Sequence, residues 1–560
     1  MTSTGTTAPP GARASAPRSR SPLLWSAVVG LVAAAATLAS AEVVALLLAP
    51  ASSPVLAVGS LVIDLTPPWL KDATIAVFGT DNKAFLLTMV ILLVAILAIA
   101  SGMLERRRPP AGAALLGVVG AVAVVAVVTR AEASPLWAVP TIVGTLVGVV
   151  ALRRLSARLA AWLVARARDH DRSAPDRAAP ESTGPARIGT DSAAAARTTE
   201  PATALARRTF FGGLVGTAAG AAIAGIAARV ANSATAAVTA VREALTLPAP
   251  TIAAAPIPAG ASLDVAGITP LVTANRDFYR IDTALQVPRI DAAQWRLRVT
   301  GLVEEEIELD WDELSSLPLQ ETYVTLMCVS NDVGGDLTGN ALWLGHPIRE
   351  VLARARPLPE ADMVLSVSQD GWTAGTPLQV LQDERDALLA IGMNGEPLPL
   401  EHGFPVRMVV PGLYGYVSAT KWVVELRVTR FDQEQGYWTP RGWSALGPVK
   451  THSRIDVPRE RARVSTGTVP VAGIAWAQQT GIERVEVRVD GGAWNEARLA
   501  EAISVDTWRQ WVWMWEATSG THVIEARATD ASGFTQRAQY VPVAPDGAEG
   551  YHAVTVQVDG

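Results

Sequence analysis

The sequence is poor in the side chains that build disulfides and protein-only metal clusters. Its 560 residues include one cysteine, Cys328, and six histidines. A single thiol excludes an intrachain disulfide and any zinc site that is built from several thiolates. Cys328 therefore either acts as a single group or is a buried apolar residue of the core.

The second half of the chain also lacks a sustained run of lysine or arginine, and the formal net charge is -6. Nucleic-acid binding needs a positive surface that follows the phosphates, so we exclude nucleic acid as a partner. The six histidines all lie outside the long apolar runs of the first half. These runs therefore cannot hold a bis-histidine haem.

Long apolar runs are abundant in the first half of the chain. About 20 apolar residues cross a bilayer core of ~30 Å as a helix. We predict five such spans, at residues 23–48, 84–103, 111–128, 136–152 and 210–230. Arginines cluster before the first span, after the second and after the fourth, which places these ends in the cytoplasm. The fifth span then carries the rest of the chain outward, so we predict a multi-pass protein of the cell membrane with an extracytoplasmic globular part.

Composition and periodicity divide the chain into an all-α membrane part, an α+β domain and an all-β immunoglobulin-like sandwich. The linker prediction rests on a segment rich in Ala, Arg, Ser, Thr and Pro without apolar periodicity. We predict a disordered N-terminus (1–21), a transmembrane region of about four helices (22–168), a disordered cytoplasmic linker (169–206), a further transmembrane helix (207–232), a Pro/Ala-rich stalk (233–262), the α+β domain (263–460) and the sandwich (461–560).

Paired arginines precede the fifth span. Arg207 and Arg208 are followed by Phe210, Phe211 and a Gly/Ala-rich helix, which resembles a twin-arginine export signal placed inside the chain. That route moves folded proteins that already carry a cofactor. Ordinary basic flanking of a membrane span explains the same residues, and both interpretations stay open.

Cys328 ends a predicted buried strand and precedes the glycine-broken stretch "VSNDVGGDLTGNALW". Its sulfur would thus lie beside backbone that a ligand can approach closely. If the thiol is a nucleophile, His346 and His402 are the candidate bases. If it is a soft metal ligand, one thiolate suffices when a large cofactor supplies the remaining ligands.

A second polar cluster suits such a cofactor. The stretch "EHGFPVRMVVPGLYGYVSATKWV" carries His402, Arg407, Ser418 and Lys421 around a strand and a Gly/Tyr-rich loop. These side chains can hold a phosphate and a polar heterocycle.

Three segments resemble the sulfite oxidase family of molybdopterin enzymes. They are "TANRDFYRIDTALQVPRIDAAQWRLRVTGLV", "CVSNDVGGDLTGNALWLGHPIREVL" and "MNGEPLPLEHGFPVRMVVPGLYGYVSATKWVVELRV", and they cover residues 273–430. The resemblance implies a membrane-anchored bacterial oxidoreductase with a molybdenum–molybdopterin cofactor. It also implies that the sandwich is a dimerisation domain, and hence a homodimer.

The resemblance also implies roles for individual residues. Cys328 would be the metal ligand and a catalytic residue, and the cofactor would be bound by Asn275, Phe278, Tyr279, Arg280, His402, Arg407, Ser418 and Lys421. Sulfite-oxidising members follow the cysteine with arginines that bind the anion, whereas residues 329–332 here are Val-Ser-Asn-Asp. Trp372 stands in the region of their active-site tyrosine and is the second catalytic candidate. We therefore expect a less charged substrate, a sulfoxide or an N-oxide.

The implied reaction is a two-electron oxygen-atom transfer, with Asp332 or His346 as candidates to relay protons. We expect the electron partner to be a separate haem protein, a quinone or a soluble carrier. Two other classes stay open: a catalytically silent binding or scaffolding protein that keeps the fold, and a transporter in which the spans are the working part. Glu42, inside the first span, is a functional candidate or a group that reaches the membrane interface.

Overall fold

The computed structural model describes residues 21–48, 52–67, 70, 74, 82–130, 133–172, 202–231, 234–284 and 286–560. The chain forms two compact units, Met1–Leu65 with Asp81–Asn232, and Thr66–Thr80 with Ser233–Gly560. The predicted disordered N-terminus lies outside the described residues except for Ser21, which begins a helix.

The described part of the first unit is helical. Its helices are α1 (Ser21–Leu48), α2 (Pro54–Leu65), α3 (Asn82–Arg107), α4 (Ala111–Val128), α5 (Ala138–Arg172) and α6 (Ala202–Ala231). Five segments are long and apolar enough to cross a membrane: Pro22–Leu48, Phe85–Arg107, Ala111–Val128, Pro135–Asp169 and Ala202–Ile226. Each overlaps one predicted span, which supports membrane association of the chain.

The predicted linker is helical at both of its ends. Helix α5 continues to Arg172 and α6 already begins at Ala202, so residues 169–172 and 202–206 belong to helices. Residues 202–206 are Ala-Thr-Ala-Leu-Ala, and Ala and Leu have high intrinsic helix propensity, so α6 begins before the paired arginines. The central part of the predicted linker, residues 173–201, lies outside the described residues.

Small residues and aromatic rings pack the helices of the first unit. A Cβ on Gly30 of α1 would collide with the carbonyl oxygen of Ala98 in α3, so the two backbones cross in direct contact, as small residues permit in membranes. Phe210 of α6 stacks on Trp162 of α5 with ring centroids 5.5 Å apart. The phenylalanine therefore serves helix packing here, while the export function of the paired arginines stays a prediction.

The second unit begins with α7 (Ala234–Ala244) and continues into an α+β domain. Its strands are β1 (Arg296–Gly301), β2 (Ile307–Asp310), β3 (Gln320–Met327), β4 (Thr338–Pro347), β5 (Met363–Ser368), β6 (Thr373–Pro377), β7 (Leu388–Met393), β8 (Glu396–Pro397), β9 (Arg407–Val409) and β10 (Val423–Thr429). One sheet has the order β2-β1-β10-β5-β6. The other has the order β3-β4-β7-β8, and β9 also pairs with β7. Short helices connect the strands: α8 (Trp311–Ser316), α9 (Ile348–Ala355) and α10 (Leu378–Gln382).

The C-terminal part is a sandwich of two sheets. Its strands are β11 (His452–Val457), β12 (Arg463–Ser465), β13 (Gly467–Trp476), β14 (Ile482–Val489), β15 (Asn495–Glu496), β16 (Arg498–Leu499), β17 (Arg509–Ala517), β18 (Gly520–Asp530) and β19 (His552–Asp559). The two sheets have the orders β11-β13-β17-β16 and β12-β19-β18-β14-β15. The alternation of apolar and charged residues along the chain explains these strands. In β14, for example, Val485 and Val487 are buried and their charged neighbours face the other side of the sheet. Trp511 and Trp515 are likewise buried in the core, as predicted, and the predicted fold class is confirmed.

The predicted stalk is packed on the α+β domain and is not a free spacer. Arg242 in α7 donates to the carbonyl oxygens of Pro397 and Leu398 at 2.7 and 2.8 Å. The amide of Thr251 donates to the carbonyl oxygen of Leu319 at 2.7 Å, and Ala261 is fully buried. A Pro/Ala composition favours extended backbone but does not reveal what that backbone packs against.

The α+β domain and the sandwich share one hydrophobic core. Ile474, Trp476 and Trp508 of the sandwich belong to the same buried cluster as the core of the α+β domain. The indole of Trp508 donates to the carbonyl oxygen of Leu271 at 3.0 Å. The two domains therefore pack as parts of one unit.

Two histidines of the sandwich, His552 and His522, should change the free energy of unfolding in opposite directions as the pH falls. Burial lowers the pKa of His552 to about 4, whereas the hydrogen bond to Asp490 raises that of His522 above its usual 6.5. His552 therefore destabilises the fold as the pH falls from 6.5 towards 4, by about 1.4 kcal/mol per pH unit. The stability that His522 contributes is fully present below pH 6.5 and is lost as the pH rises through its folded pKa.

We expect the unfolding midpoint of His552→Gln to rise relative to wild type as the pH is lowered from 7 to 4.5, by several °C (about 2–4 °C per kcal/mol). His522→Gln is the matched control and should fall relative to wild type over the same range. Thermal unfolding of the full chain, followed by tryptophan fluorescence, measures both. Parallel curves for the two variants would contradict this assignment.

Candidate active site

Cys328 directly follows β3, where the chain turns into a compact loop of residues 329–336, here called the cysteine loop. The Cys328 amide donates to the carbonyl oxygen of Leu337 at 3.0 Å, and the Asn331 amide donates to that of Cys328 at 3.0 Å. The Ser330 amide donates to the Cys328 sulfur at 3.4 Å. Burial raises the pKa of the thiol, while the Ser330 hydrogen bonds and the Lys421 charge oppose this rise. A thiolate at this position would therefore be stabilised by an added positive charge such as a metal ion.

Two cations are buried near this thiol. Arg407 in β9 is 3% exposed, donates to the carbonyl oxygen of His402 at 3.1 Å and lies over the ring of Trp343. Burial lowers its pKa to about 10. Lys421 is 9% exposed and contacts Asp282 at 3.0 Å; burial lowers its pKa to about 8 although Asp282 opposes the change. Buried positive charge of this kind is the environment that an anionic group requires.

His402 is a buried, neutral imidazole with one unused nitrogen. Its Nε2 lies 3.2 Å from the backbone oxygen of Asn275, so this nitrogen carries the proton and donates. Burial, with Lys421 and Arg407 nearby, lowers its pKa to about 3. Its Nδ1 is buried without a hydrogen-bond partner among the described residues. An unsatisfied buried acceptor indicates a place for a ligand donor.

Aromatic rings of the first segment lie beside these groups. Phe278 stacks with Tyr279 at 5.2 Å and meets His402 edge-on at 5.5 Å. Burial raises the pKa of Tyr279; the charge of Cys328 adds to this effect and that of Arg407 opposes it. Tyr279 therefore lies within electrostatic range of both the thiol and the guanidinium. A Cβ on Gly339 would lie 2.6 Å from the Phe278 ring, so this contact requires glycine.

The side chains of two other predicted cofactor-binding residues, Asn275 and Arg280, are paired with other protein groups. The side chain of Asn275 is engaged with Met393, Asn394 and Glu396, so only its backbone oxygen reaches His402. The exposed Arg280 pairs with Asp282 at 3.2 Å.

Two further predicted residues lie in turns. Ser418 donates to the backbone oxygen of Tyr414 at 3.0 Å, inside its own turn. Trp372 is half-buried, and its amide donates to Asp370 at 3.3 Å. The catalytic role of Trp372 stays a prediction.

The histidines do not form a base for Cys328. The Met327 end of β3 pairs with Thr338, and β4 then carries His346 to its far end, eight residues or ~26 Å away at 3.3 Å per residue. His346 instead contacts the carbonyl oxygen of Pro318 at 2.8 Å. The base and proton-relay predictions for His346 are therefore wrong. With a pKa of about 3, His402 is a poor base as well.

The sequence did not single out two residues of this region. Asp282 pairs with both Lys421 and Arg280. The only sign of this role in the sequence is that an acidic residue stands two positions after Arg280, a predicted cofactor-binding residue. Burial raises the pKa of Tyr414, and the charge of Cys328 contributes to this effect, so Tyr414 also lies near the thiol. It belongs to the Gly/Tyr-rich loop, which is the signal that could have indicated it.

Known proteins resemble this chain over the same region. Residues 284–438 match the model of the oxidoreductase molybdopterin binding domain, and residues 453–526 match the bacterial Ig domain. The chain is 30% identical over 311 residues to sulfite oxidase of Gallus gallus, covering 46% of this chain and 67% of that protein. It is 34% identical over 165 residues to the uncharacterized oxidoreductase YuiH of Bacillus subtilis (strain 168), covering 30% and 80%. The chain belongs to the sulfite oxidase family.

Mitochondrial sulfite oxidase of Mus musculus is 31% identical over 276 residues, 41% of this chain and 50% of that protein. The chain thus spans about half the length of several curated relatives. Membership of the sulfite oxidase family confirms the predicted oxidoreductase class and the molybdenum–molybdopterin cofactor.

The described residues fit the cofactor of the sulfite oxidase family. Arg407 and Lys421 are buried cations that suit a phosphate, and the unused Nδ1 of His402 can accept a hydrogen bond from a pterin N–H. Among the described residues, the Cys328 sulfur accepts hydrogen bonds from Ser330 of its own loop, and it keeps soft lone pairs for a metal.

Proposed function

We propose that this protein is a membrane-anchored molybdopterin-dependent oxidoreductase that catalyses a two-electron oxygen-atom transfer on the extracytoplasmic side. The observation that carries the proposal is the grouping of a buried thiol, two buried cations and a buried imidazole with an unused acceptor. When bound, the molybdenum cofactor would supply the two-electron redox change and the exchangeable oxygen.

The protein residues would bind and orient this cofactor. Cys328 would ligate the metal, Arg407 and Lys421 would neutralise the phosphate, and His402 would accept a hydrogen bond from the heterocycle. His402 suits this task because its pKa of about 3 keeps it neutral, and the hydrogen bond to Asn275 fixes its tautomer. Asp282 would hold the Lys421 ammonium in place through their 3.0 Å contact.

We further propose that the substrate is a neutral or weakly charged oxo compound, a sulfoxide or an N-oxide. The cysteine loop supplies the carboxylate of Asp332 where an anion site would need arginine. Asp370, in the turn before Trp372, lies within electrostatic range of Asp282. Acidic groups of this kind disfavour an anion such as sulfite.

The same proposal extends to membrane topology and partners. The arginines at the end of α3 and the five candidate spans support an extracytoplasmic second unit. Electrons would be exchanged with a separate haem protein, a quinone or a soluble carrier, and two copies of the chain would associate through the sandwich.

The proposal is tested on the full chain from a host that makes the cofactor. We expect about one molybdenum and one phosphate per chain and reduction of a sulfoxide or N-oxide with a reduced viologen as donor. Sulfite with a dye acceptor should give a kcat/KM lower by roughly 100-fold or more, because a charge mismatch costs several kcal/mol. A metal-free protein would overturn the enzymatic proposal, and a preference for sulfite would overturn the substrate class.

A further inference from the structure

The cysteine loop is bound by the sandwich as well as by its own domain. Arg454 in β11 donates through Nη1 to the backbone oxygen of Gly335 at 2.8 Å. The same guanidinium donates to Asp456 at 2.8 Å and to Thr269 at 2.7 Å. Its fork is therefore fixed on three sides, and it presents one N–H to the loop in a defined direction.

Two further side chains of the sandwich contact the loop. The ring of His552, the first residue of β19, fills the place where a side chain on Gly334 would lie. Gly334 has a φ of +78°, so both its conformation and the adjacent ring require glycine. Tyr540 donates its hydroxyl hydrogen to Oδ2 of Asp332 at 3.2 Å.

The strand that leads to the cysteine is bound by the same domain. The amide of Thr325 in β3 donates to the backbone oxygen of Asp506 at 3.0 Å. The amide of Trp508 donates to Oγ1 of Thr325 at 2.9 Å. The sandwich thus contacts the backbone on both sides of Cys328, which itself is 9% exposed.

We propose that the sandwich positions the cysteine loop through Arg454, His552 and Tyr540 and thereby sets the accessibility of the Cys328 sulfur. These three are positioning residues. Reagents reach a buried sulfur only when the surrounding loop opens, and opening must break the contacts that hold the loop. The consequence for catalysis, control of what approaches the metal, rests on the proposed function; the positioning itself does not.

The chain offers a direct probe because Cys328 is its only cysteine. Full-length protein from a host without the cofactor is treated with iodoacetamide at fixed pH, and the modification rate is measured by mass spectrometry. Loss of one hydrogen bond in Tyr540→Phe should raise the rate about 3- to 10-fold. Arg454→Gln should raise it at least as much, because a charged donor is lost.

Variants of Asp332 separate the hydrogen bond from the nearby charge. Asp332→Ala should raise the rate as much as Tyr540→Phe, and the double variant should raise it no further, because both remove the same interaction. Asp332→Asn keeps an acceptor for the Tyr540 hydroxyl and should stay within about twofold of wild type.

Two control variants change sandwich residues whose partners lie outside the cysteine loop. Tyr551 meets the ring of Trp494 edge-on and Arg527 pairs with Glu486, so Tyr551→Phe and Arg527→Gln should leave the rate unchanged. An unchanged rate in folded Tyr540→Phe and Arg454→Gln would overturn the inference, as would an equal rise in both controls. A metal-free protein whose rates follow these expectations would overturn the proposed function alone.

Discussion

The Cys328→Ser variant is expected to fold normally and to lose its molybdenum and its turnover. Serine has nearly the same shape, and the surrounding hydrogen bonds of the Cys328 backbone to Leu337 and Asn331 do not involve the sulfur. A hydroxyl is a much poorer ligand than a thiolate for a soft site, and it does not ionise near neutral pH. Since even indirect ligand contacts change metal affinity by 10–100-fold, we expect turnover to fall by at least ~100-fold.

Metal analysis, absorbance and the sulfoxide assay measure this effect on protein from a cofactor-competent host. Met327→Leu is the matched control, because Met327 is the buried neighbour of Cys328 and a volume-conserving change usually costs less than about 1.5 kcal/mol. It should retain metal and turnover. Full metal content in Cys328→Ser would show that the thiolate is not the ligand.

The Arg407→Met variant is expected to bind the cofactor roughly 30-fold more weakly or worse, while the cofactor-free protein keeps or gains stability. In the cofactor-free fold, the buried Arg407 guanidinium donates to backbone oxygens of His402, Met408 and Ala419. Burial lowers its pKa from 12.5 to about 10, so the charged form destabilises the fold. Methionine would keep an apolar contact with the ring of Trp343 without this cost.

Phosphate and molybdenum content measure the loss of cofactor, and thermal unfolding of cofactor-free protein measures stability. Arg385→Met is the control of opposite sign. Arg385 pairs with Asp383 at 2.7 Å and donates to the backbone oxygen of Pro411 at 2.9 Å, so its loss should lower stability and leave the cofactor content intact. A folded Arg407→Met protein with full cofactor would show that Arg407 has a structural role.

Local sequence patterns indicated several residues of the candidate site. Cys328 was indicated by its position between an apolar strand and a glycine-rich stretch, and Arg407, Lys421 and His402 by their grouping within 20 residues of chain. In the structure these residues lie at the ends of elements whose period was evident. The strand-only texture of the sandwich was equally evident, because its alternation extends over whole strands.

Other features depend on contacts that no local pattern records. Asp282 belongs to the candidate site through its contact with Lys421, which lies 139 positions away in the chain. His346 was excluded as a base only by the register of β3 and β4. The segment 233–262 has the composition of a spacer, yet its contacts with Leu319, Pro397 and Leu398 attach it to the domain. Such assignments require the tertiary structure, because propensity does not specify long-range partners.

The core shared by the α+β domain and the sandwich determines how a soluble fragment of this protein should be cut. A fragment that stops near residue 460 would lose Ile474, Trp476 and Trp508 from a continuous apolar cluster. The apolar residues that these side chains cover would then be exposed to water, which favours aggregation. A fragment from residue 234 to the C-terminus keeps this cluster and the docked α7. Exchange of the sandwich for another immunoglobulin-like module would fail for the same reason unless these three side chains were transplanted with it.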